Sequence, residues 1–495
     1  MDLFTSAQFG PRVEGLLQKF HAPGVSIAIV QNSSIVSAGY GLVNLDPPKP
    51  MTADVLFDIA SASKSLTAAS VALLVHNDGH YPHVTYEATM SSLLPEDFVM
   101  SDETYTKVVT VEDMLSHRTG IAPHDESYLG PNSPHTDNAK SVTRNLRNLA
   151  VAAPIRTKHL YCNMMYTVAT HLIETVASLS FADFLQRHFF NPLGMNSTNL
   201  QPARARAKGL GDRITPGYVW DDETKTYNRF KVPDAPEAQG AGSIITSVND
   251  YVKYVKAIMN QEEPFTKDIY EGLIRSRSLF DPDYKQRTAS TSSILYAAGW
   301  EVTFYRGFMI VGHGAHFFLP EIKFGGAIFS NSGGGGVIGD IIKSELIDEA
   351  LKIPRERRLD WEKLFGAAGA DSAGDGDPNV KIRQELCPGI KDPEPQTMAL
   401  SAYTGEYWNA GYHNMTVDIR DRKLHIDGSD RSFAFQIEFE HVCKQTRYIA
   451  HMILQNEGGD SPLRAEFQFD GDMASKMGLY LENALDDLIW FEKVN

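Results

Sequence analysis

The amino-acid sequence predicts an α+β fold: an antiparallel sheet flanked by helices, with a helical lobe set into it, followed by a small all-β barrel domain. Three observations predict it. β-rich runs stand at both ends of residues 1–355, helical patterns dominate between them, and residues 397–495 are short alternating runs parted by turns. Strands at the two ends give one sheet assembled from both, and the middle forms the lobe.

Taken in order, Phe9 to Phe20 places Val13, Leu16, Leu17 and Phe20 at helical spacing. Gly24 to Val30 and Ile35 to Val43 are β-rich, and the polar Gln31-Asn32-Ser33-Ser34 between them signals a hairpin. Ser61 to His76 carries Leu66, Ala69, Leu73 and Leu74 on one stripe and stops at Asn77-Asp78-Gly79. Val111 to His117 opens with a capping box, Thr110-x-x-Asp113, and Met164 to Ala177 is a second helix of the lobe. Gly299 to Tyr305 and Phe308 to His313 flank an Arg306-Gly307 turn, Phe324 to Ser330 is a further strand, and Ile338 to Leu351 is a closing helix. Composition then breaks. Ala367 to Asp377 is small, polar and acidic, and proline recurs up to Gln396, so residues 356–396 read as an exposed linker. Within residues 397–495, strands are expected at Met415 to Ile419, Lys423 to Ile426, Tyr448 to Leu454, Ala465 to Phe469 and Leu488 to Glu492.

Composition narrows the function. Of 495 residues, 42% are hydrophobic and 22% charged, ordinary for a packed globular chain. The net charge is −16 with the acids spread along the sequence, which argues against nucleic acid and anionic lipid as partners. Apolar runs fall far short of the roughly 20 residues a membrane span needs. Met1 to Phe20 carries neither a basic leader nor the apolar core of a secretory signal. Three cysteines, Cys162, Cys387 and Cys443, without a C-x-x-C pair, fit a reducing compartment, so a cytoplasmic location is expected.

Three short motifs could carry chemistry. In Ser61-Ala62-Ser63-Lys64, residues three apart on a helix share a face, so a hydroxyl and an ammonium can meet. The helix start supplies a free backbone N–H for a developing oxyanion, and a crowded lysine can lose its proton and act as base. Tyr161-Cys162-Asn163 precedes the second lobe helix. A nearby lysine is expected to lower the tyrosine's pKa toward general acid or base work, while the asparagine amide can hold a substrate carbonyl. Gly312-His313-Gly314-Ala315-His316 lies between two strands, where small residues let a substrate approach the sheet edge. Singly each is weak, and a capping serine, a core tyrosine and a structural histidine are the bland alternatives.

Together, and in this order, the motifs resemble the serine β-lactamase and penicillin-binding-protein superfamily. Phe57 to Thr67 (FDIASASKSLT) is similar to the nucleophile helix of class C β-lactamases and family VIII esterases. Leu115 to Ile121, Asn191 to Met195 and Ala241 to Thr246 are similar to further landmarks of the group. The resemblance covers roughly residues 8–355; Tyr403-Thr404-Gly405-Glu406-Tyr407 resembles the lipocalin-like domain that follows it in some S12-type peptidases. It implies Ser61 as acylated nucleophile, Lys64 and Tyr161 sharing base and acid work, and Asn163 orienting the substrate. It also implies an oxyanion held by the N–H groups of Ser61 and His316. The expected activity is hydrolysis of a small-molecule ester or amide without cofactor or metal. An acyltransferase or cyclising transpeptidase acting on a natural-product acyl substrate and a non-catalytic binding role are the alternatives, and a homo-oligomer is compatible with the pattern. One departure stands out. His313-Gly314-Ala315 occupies the place of Lys-Thr-Gly, whose lysine and threonine support a β-lactam carboxylate, so antibiotic hydrolysis is not expected.

Rival patterns fail on context. Gly334 to Gly339 fits G-x-G-x-x-G, but no strand ending in an acid follows. The pairs His80/His83 and His313/His316 lack a third ligand at metal spacing, and Gly-x-Ser-x-Gly is absent. Cys162 reads as a buried spacer. His124 and Asp125 fall in a loop where lining the pocket and facing solvent are equally open.

Overall fold

The computed structural model describes the chain apart from residues 78, 285, 286, 289, 372–376 and 495, with backbone alone for 367–371. Helix α1 (Phe9–Lys19) leads into the hairpin β1 (Gly24–Gln31) and β2 (Ser34–Leu45). The lobe follows, built around α2 (Ser63–Val75) and α3 (Asn163–Ala177), and α4 (Val248–Asn260) packs back against the sheet. The chain then returns through β3 (Glu301–Tyr305), β4 (Phe308–His313), β5 (His316–Leu319), β6 (Phe324–Ser330) and helix α5 (Gly335–Ala350).

The sheet has nine strands in the order Pro48–Pro50, β2, β1, β6, β5, β4, β3, Leu295–Tyr296 and Ser278–Leu279. Its two ends of chain meet in the middle: β1 pairs antiparallel with β6, Val25 opposite Ser330 and Gln31 opposite Phe324. β1 is apolar without alternation because both its faces are buried. Val25, Ile27 and Ile29 face one core, with Val13 and Leu17 of α1 and Ile338 and Ile342 of α5. Ala28 and Val30 face the other, shared with α2 and α3. α2 is buried at every position except Leu73, so it is the axle of the lobe rather than a one-sided surface helix. The glycines from Gly334 make the turn from β6 into α5, and the capping box at Thr110 and Asp113 forms as the sequence predicts.

The segment expected as a linker carries two helices, α6 (Trp361–Asp371) and α7 (Pro378–Leu386). Trp361 anchors the first: its indole N–H donates to Asp348 Oδ2 at 2.7 Å, and its ring meets Tyr305 edge-on at 5.5 Å. α7 lies on the barrel, where Cys387 is disulfide-bonded to Cys443. The sparse cysteine count without C-x-x-C does not announce this pair. They meet because α7 returns along the strand that ends in Cys443, at a Cα separation of 6.7 Å. Of the acidic stretch Ala367 to Asp377, residues 372–376 lie outside the described residues.

Residues 405–493 form a closed barrel of eight antiparallel strands in sequence order, the last pairing with the first, Tyr407 opposite Lys493. Tyr407, Phe439, Tyr448 and Phe467 pack against one another in its interior. The barrel is docked on the lobe backbone to backbone. Gly130 donates to the Asp430 carbonyl at 2.8 Å and Ser432 to the Tyr128 carbonyl at 3.2 Å. A β-carbon at Gly130 would come within 2.7 Å of the Arg431 carbonyl oxygen, so only glycine permits this approach.

Candidate active site

The chain enters α2 through a 3₁₀ turn, Ala60–Ala62, that sets Ser61 at the edge of a cavity of about 530 Å³. Ala60 holds φ +45°, a left-handed backbone costly for a residue with a β-carbon. Asp58 fixes the bend by accepting from the Ala60 N–H at 2.8 Å, and burial lifts the Asp58 carboxyl to about 6.

Lys64, one helical turn on, is completely buried. Its Nζ donates to Ser61 Oγ at 3.0 Å, to Asn163 Oδ1 at 2.7 Å and to the Ala241 carbonyl at 2.9 Å. It also sits 4.8 Å from the centre of the Tyr161 ring and 5.5 Å from that of Tyr166. Burial pushes the Lys64 pKa down to about 7, with the Asp125 carboxylate pulling the other way. Close packing makes this crowding possible: Gly299, at φ +73°, passes so near α2 that a β-carbon would lie 2.7 Å from the Lys64 carbonyl oxygen.

Tyr161 and Asn163 stand at the start of α3. Asn163 Nδ2 donates to both oxygens of Asp125, at 3.1 and 3.3 Å, which fixes its amide with the oxygen toward Lys64. His313 donates from Nδ1 to the Gly299 carbonyl at 2.9 Å, so its Nε2 accepts the Tyr161 hydroxyl at 3.3 Å. Burial drops His313 to about 4, and the imidazole is neutral. Tyr161 departs from the sequence expectation. Burial raises its pKa, with the Ser61 hydroxyl only opposing that shift, because its nearest partner on β4 is an uncharged imidazole rather than a cation.

Ser61, Lys64, Tyr161, Asn163 and His313 therefore converge. His316 does not. The two-residue turn Gly314-Ala315 ends β4 directly after His313, and His316 starts the returning strand, paired with His313 and Ala327. Its ring is sealed between Tyr251 and Trp300, at 5.0 and 4.9 Å, so any part it takes at Ser61 is through its backbone N–H. The turn itself does approach: Gly314 and Ala315 share a cavity of about 250 Å³ with Asp58 and Ala60.

Several groups escaped the sequence reading. His117 accepts the Cys162 N–H on Nδ1 at 3.1 Å, and its ring lies 4.3 Å from that of Tyr161, holding the phenol from behind. Asp125, for which the sequence left pocket and solvent equally open, is a partner of Asn163. The barrel lines the main cavity through Ser432, Phe433, Leu454 and Glu457, together with Phe230 and Val232. No lysine, arginine or histidine is among the described residues lining it, while Asp58 and Glu457 are. No short motif announces these contacts, since each joins residues far apart in sequence.

A sheet with a helical lobe, and a buried lysine bonded to a serine at the entry of the central helix, define the serine β-lactamase and penicillin-binding-protein superfamily. The Beta-lactamase family profile matches residues 11–345, and the chain belongs to that family as a hydrolase. A second profile, a domain of unknown function (DUF3471), matches residues 391–493. Two relatives are Unguisins hydrolase ungD' of Aspergillus campestris and Unguisins hydrolase ungD of Aspergillus violaceofuscus. The first is 30% identical over 98% of this chain and 91% of its own length, the second 32% over 88% and 81%. Among solved structures, the octameric penicillin-binding protein homologue from Pyrococcus abyssi superposes with a TM-score of 0.60 at 18% identity, covering 99% of this chain and 100% of its own. The D-amino acid amidase from Ochrobactrum anthropi SV3 superposes with a TM-score of 0.55 at 19% identity, over 69% of this chain and 98% of its own.

Proposed function

We propose that the protein cleaves an amide or ester bond of a small molecule through an acyl-enzyme on Ser61, with Lys64 as base. One observation carries the reading: the Lys64 nitrogen is 3.0 Å from Ser61 Oγ in a site dry enough to bring its pKa to about 7. Neutral Lys64 takes the Ser61 proton as Oγ bonds to the substrate carbonyl carbon. The carbonyl oxygen becomes an oxyanion, facing the Ser61 backbone N–H at the first turn of the helix. On collapse, the C–N or C–O bond breaks and the proton passes from Lys64 to the leaving amine or alcohol. Tyr161, a neutral phenol between Ser61 and His313, relays it. Water then repeats the sequence on the ester, releasing the acid and Ser61.

The relatives at 30% and 32% identity are named for hydrolysis of unguisins, which makes those compounds the first substrates to assay. The test pairs wild type with Ser61→Ala. The variant should keep its circular dichroism spectrum, lose turnover on the order of 10³-fold or more, and take no fluorophosphonate adduct. Turnover unchanged in the variant refutes the reading.

A further inference from the structure

The loop between the lobe's helix Val111–Leu115 and its next turns holds an unusual residue. His124 is fully buried and adopts φ +51°, a conformation a histidine keeps only where its surroundings enforce it. Three hydrogen bonds do so. Its Nε2–H donates to the Ala150 carbonyl at 2.8 Å, which fixes the tautomer and leaves Nδ1 to accept the Tyr412 hydroxyl at 2.7 Å. Its backbone N–H donates to Glu482 Oε2 at 2.8 Å. Glu482 is itself steadied by the Ala484 N–H on its other oxygen at 2.9 Å. Two of the three partners belong to the barrel.

The next residue is Asp125, and from it the chain of contacts runs to the centre of the site: Asp125 to Asn163 at 3.1 Å, Asn163 to Lys64 at 2.7 Å, Lys64 to Ser61 at 3.0 Å. We propose that Tyr412 and Glu482 of the barrel are positioning residues of the active site, holding His124 left-handed so that Asp125 orients Asn163 and, through it, Lys64. This rests on the Ser61 reading above and extends it: the barrel is part of the catalytic architecture and not only a neighbour of it. Release of His124 to ordinary backbone would swing the Asp125 carboxylate away from Asn163, because His124 and Asp125 are joined by one peptide plane.

The groups that face Lys64 are Ser61 and Asn163, the carboxylate of Asp125, the thiol of Cys162, the phenols of Tyr161 and Tyr166, and the imidazoles of His117 and His313. Asp125 supplies the carboxylate among them. It is faced in turn by Glu126, Glu457 and Glu482. Moving Asp125 off therefore removes the anion that favours protonated Lys64, and the acidic limb of the activity profile shifts to lower pH.

The experiment measures kcat/KM against pH for the full chain as wild type, Tyr412→Phe, Glu482→Gln and Asn132→Ala. Asn132 donates to the Ser429 carbonyl at 3.1 Å, so its removal disturbs the same interface without touching His124. The two barrel variants should lose activity on the order of tenfold, as expected for a buried partner left unpaired, and their acidic limbs should move down in pH. Asn132→Ala should keep the wild-type limb. Limbs that coincide with wild type in folded Tyr412→Phe and Glu482→Gln overturn the proposal, and so does a uniform loss of rate with the limb unmoved. If Glu482→Gln does not fold, the nearly isosteric Tyr412→Phe alone decides. Turnover surviving in Ser61→Ala would instead sink the underlying reading, which this comparison of limbs does not address.

Discussion

The Tyr161 hydroxyl gives its hydrogen bond to Nε2 of His313, at 3.3 Å, and the pair is uncharged. The family's usual lysine at this place would present a cation and draw the phenol's pKa down. A neutral imidazole, with burial holding it near 4, cannot. The phenol therefore keeps its proton, and base work falls to Lys64. His313→Ala strips Tyr161 of its acceptor and frees the Gly299 carbonyl as well. We expect kcat to fall about 5- to 100-fold, the range for unpaired buried groups, with KM little changed. Steady-state kinetics on a chromogenic ester give both constants; an unaltered kcat removes His313 from the reaction.

A second expectation concerns pH. Only neutral Lys64 can accept the Ser61 proton, and burial brings its pKa to about 7. As pH falls below that value the neutral fraction drops tenfold per unit, so kcat/KM should decline with unit slope on the acid side. Lys64→Arg keeps the charge but stays protonated at every working pH, and should lose about 10²- to 10⁴-fold. A limb lying near the pKa of a solvated lysine would contradict the buried, dry setting.

Much of this site was legible in sequence because its chemistry is local. Ser61 and Lys64 are one helical turn apart, Tyr161 and Asn163 flank one helix start, and such spacings survive any detail of packing. The β1–β2 hairpin and β4 were likewise set by β-rich runs on either side of a turn. What escaped depends on pairings that no spacing encodes. Glu482 reaches His124 across the domain boundary, and Cys387 meets Cys443 only because α7 folds back. The turn between the two strands of the third motif was legible as well: Gly314, at φ +55°, ends β4 directly after His313 and the chain returns at His316. α6 was hidden by its small-residue tail, although Trp361 at its start carries the docking contact.

The barrel's contribution to the cavity gives a third expectation. Phe433 lines the cavity with Phe230 and Val232, on the loop clamped by the Ser432 hydroxyl's 2.6 Å bond to Glu237. Phe433→Ala removes apolar surface from the substrate side while leaving the serine and lysine untouched. KM for an apolar acyl substrate should rise about tenfold, the order expected for losing part of a phenyl contact, with little change for an acetyl ester. Equal KM shifts for both esters would show that Phe433 does not touch the acyl group.

The last expectation follows from charge. An anionic substrate would enter a cavity whose described lining holds no lysine, arginine or histidine but does hold Asp58 and Glu457. Lys64 offers little compensation, since it is buried, already shared among three acceptors and close to neutral. A carboxylate placed there is desolvated without a partner and repelled by its neighbours. Substrates without a free carboxylate should therefore be preferred. Two p-nitrophenyl esters of one apolar acyl chain, ending in a methyl amide or in a free acid, isolate this difference. The amide should show kcat/KM at least about tenfold higher, equivalent to roughly 1.4 kcal/mol. Most of the gap should lie in KM. Phe433→Arg should narrow it by placing a cation on the barrel wall. Comparable or faster turnover of the free acid in the wild type would mean that a positive group reaches the substrate and that the cavity's charge has been misjudged.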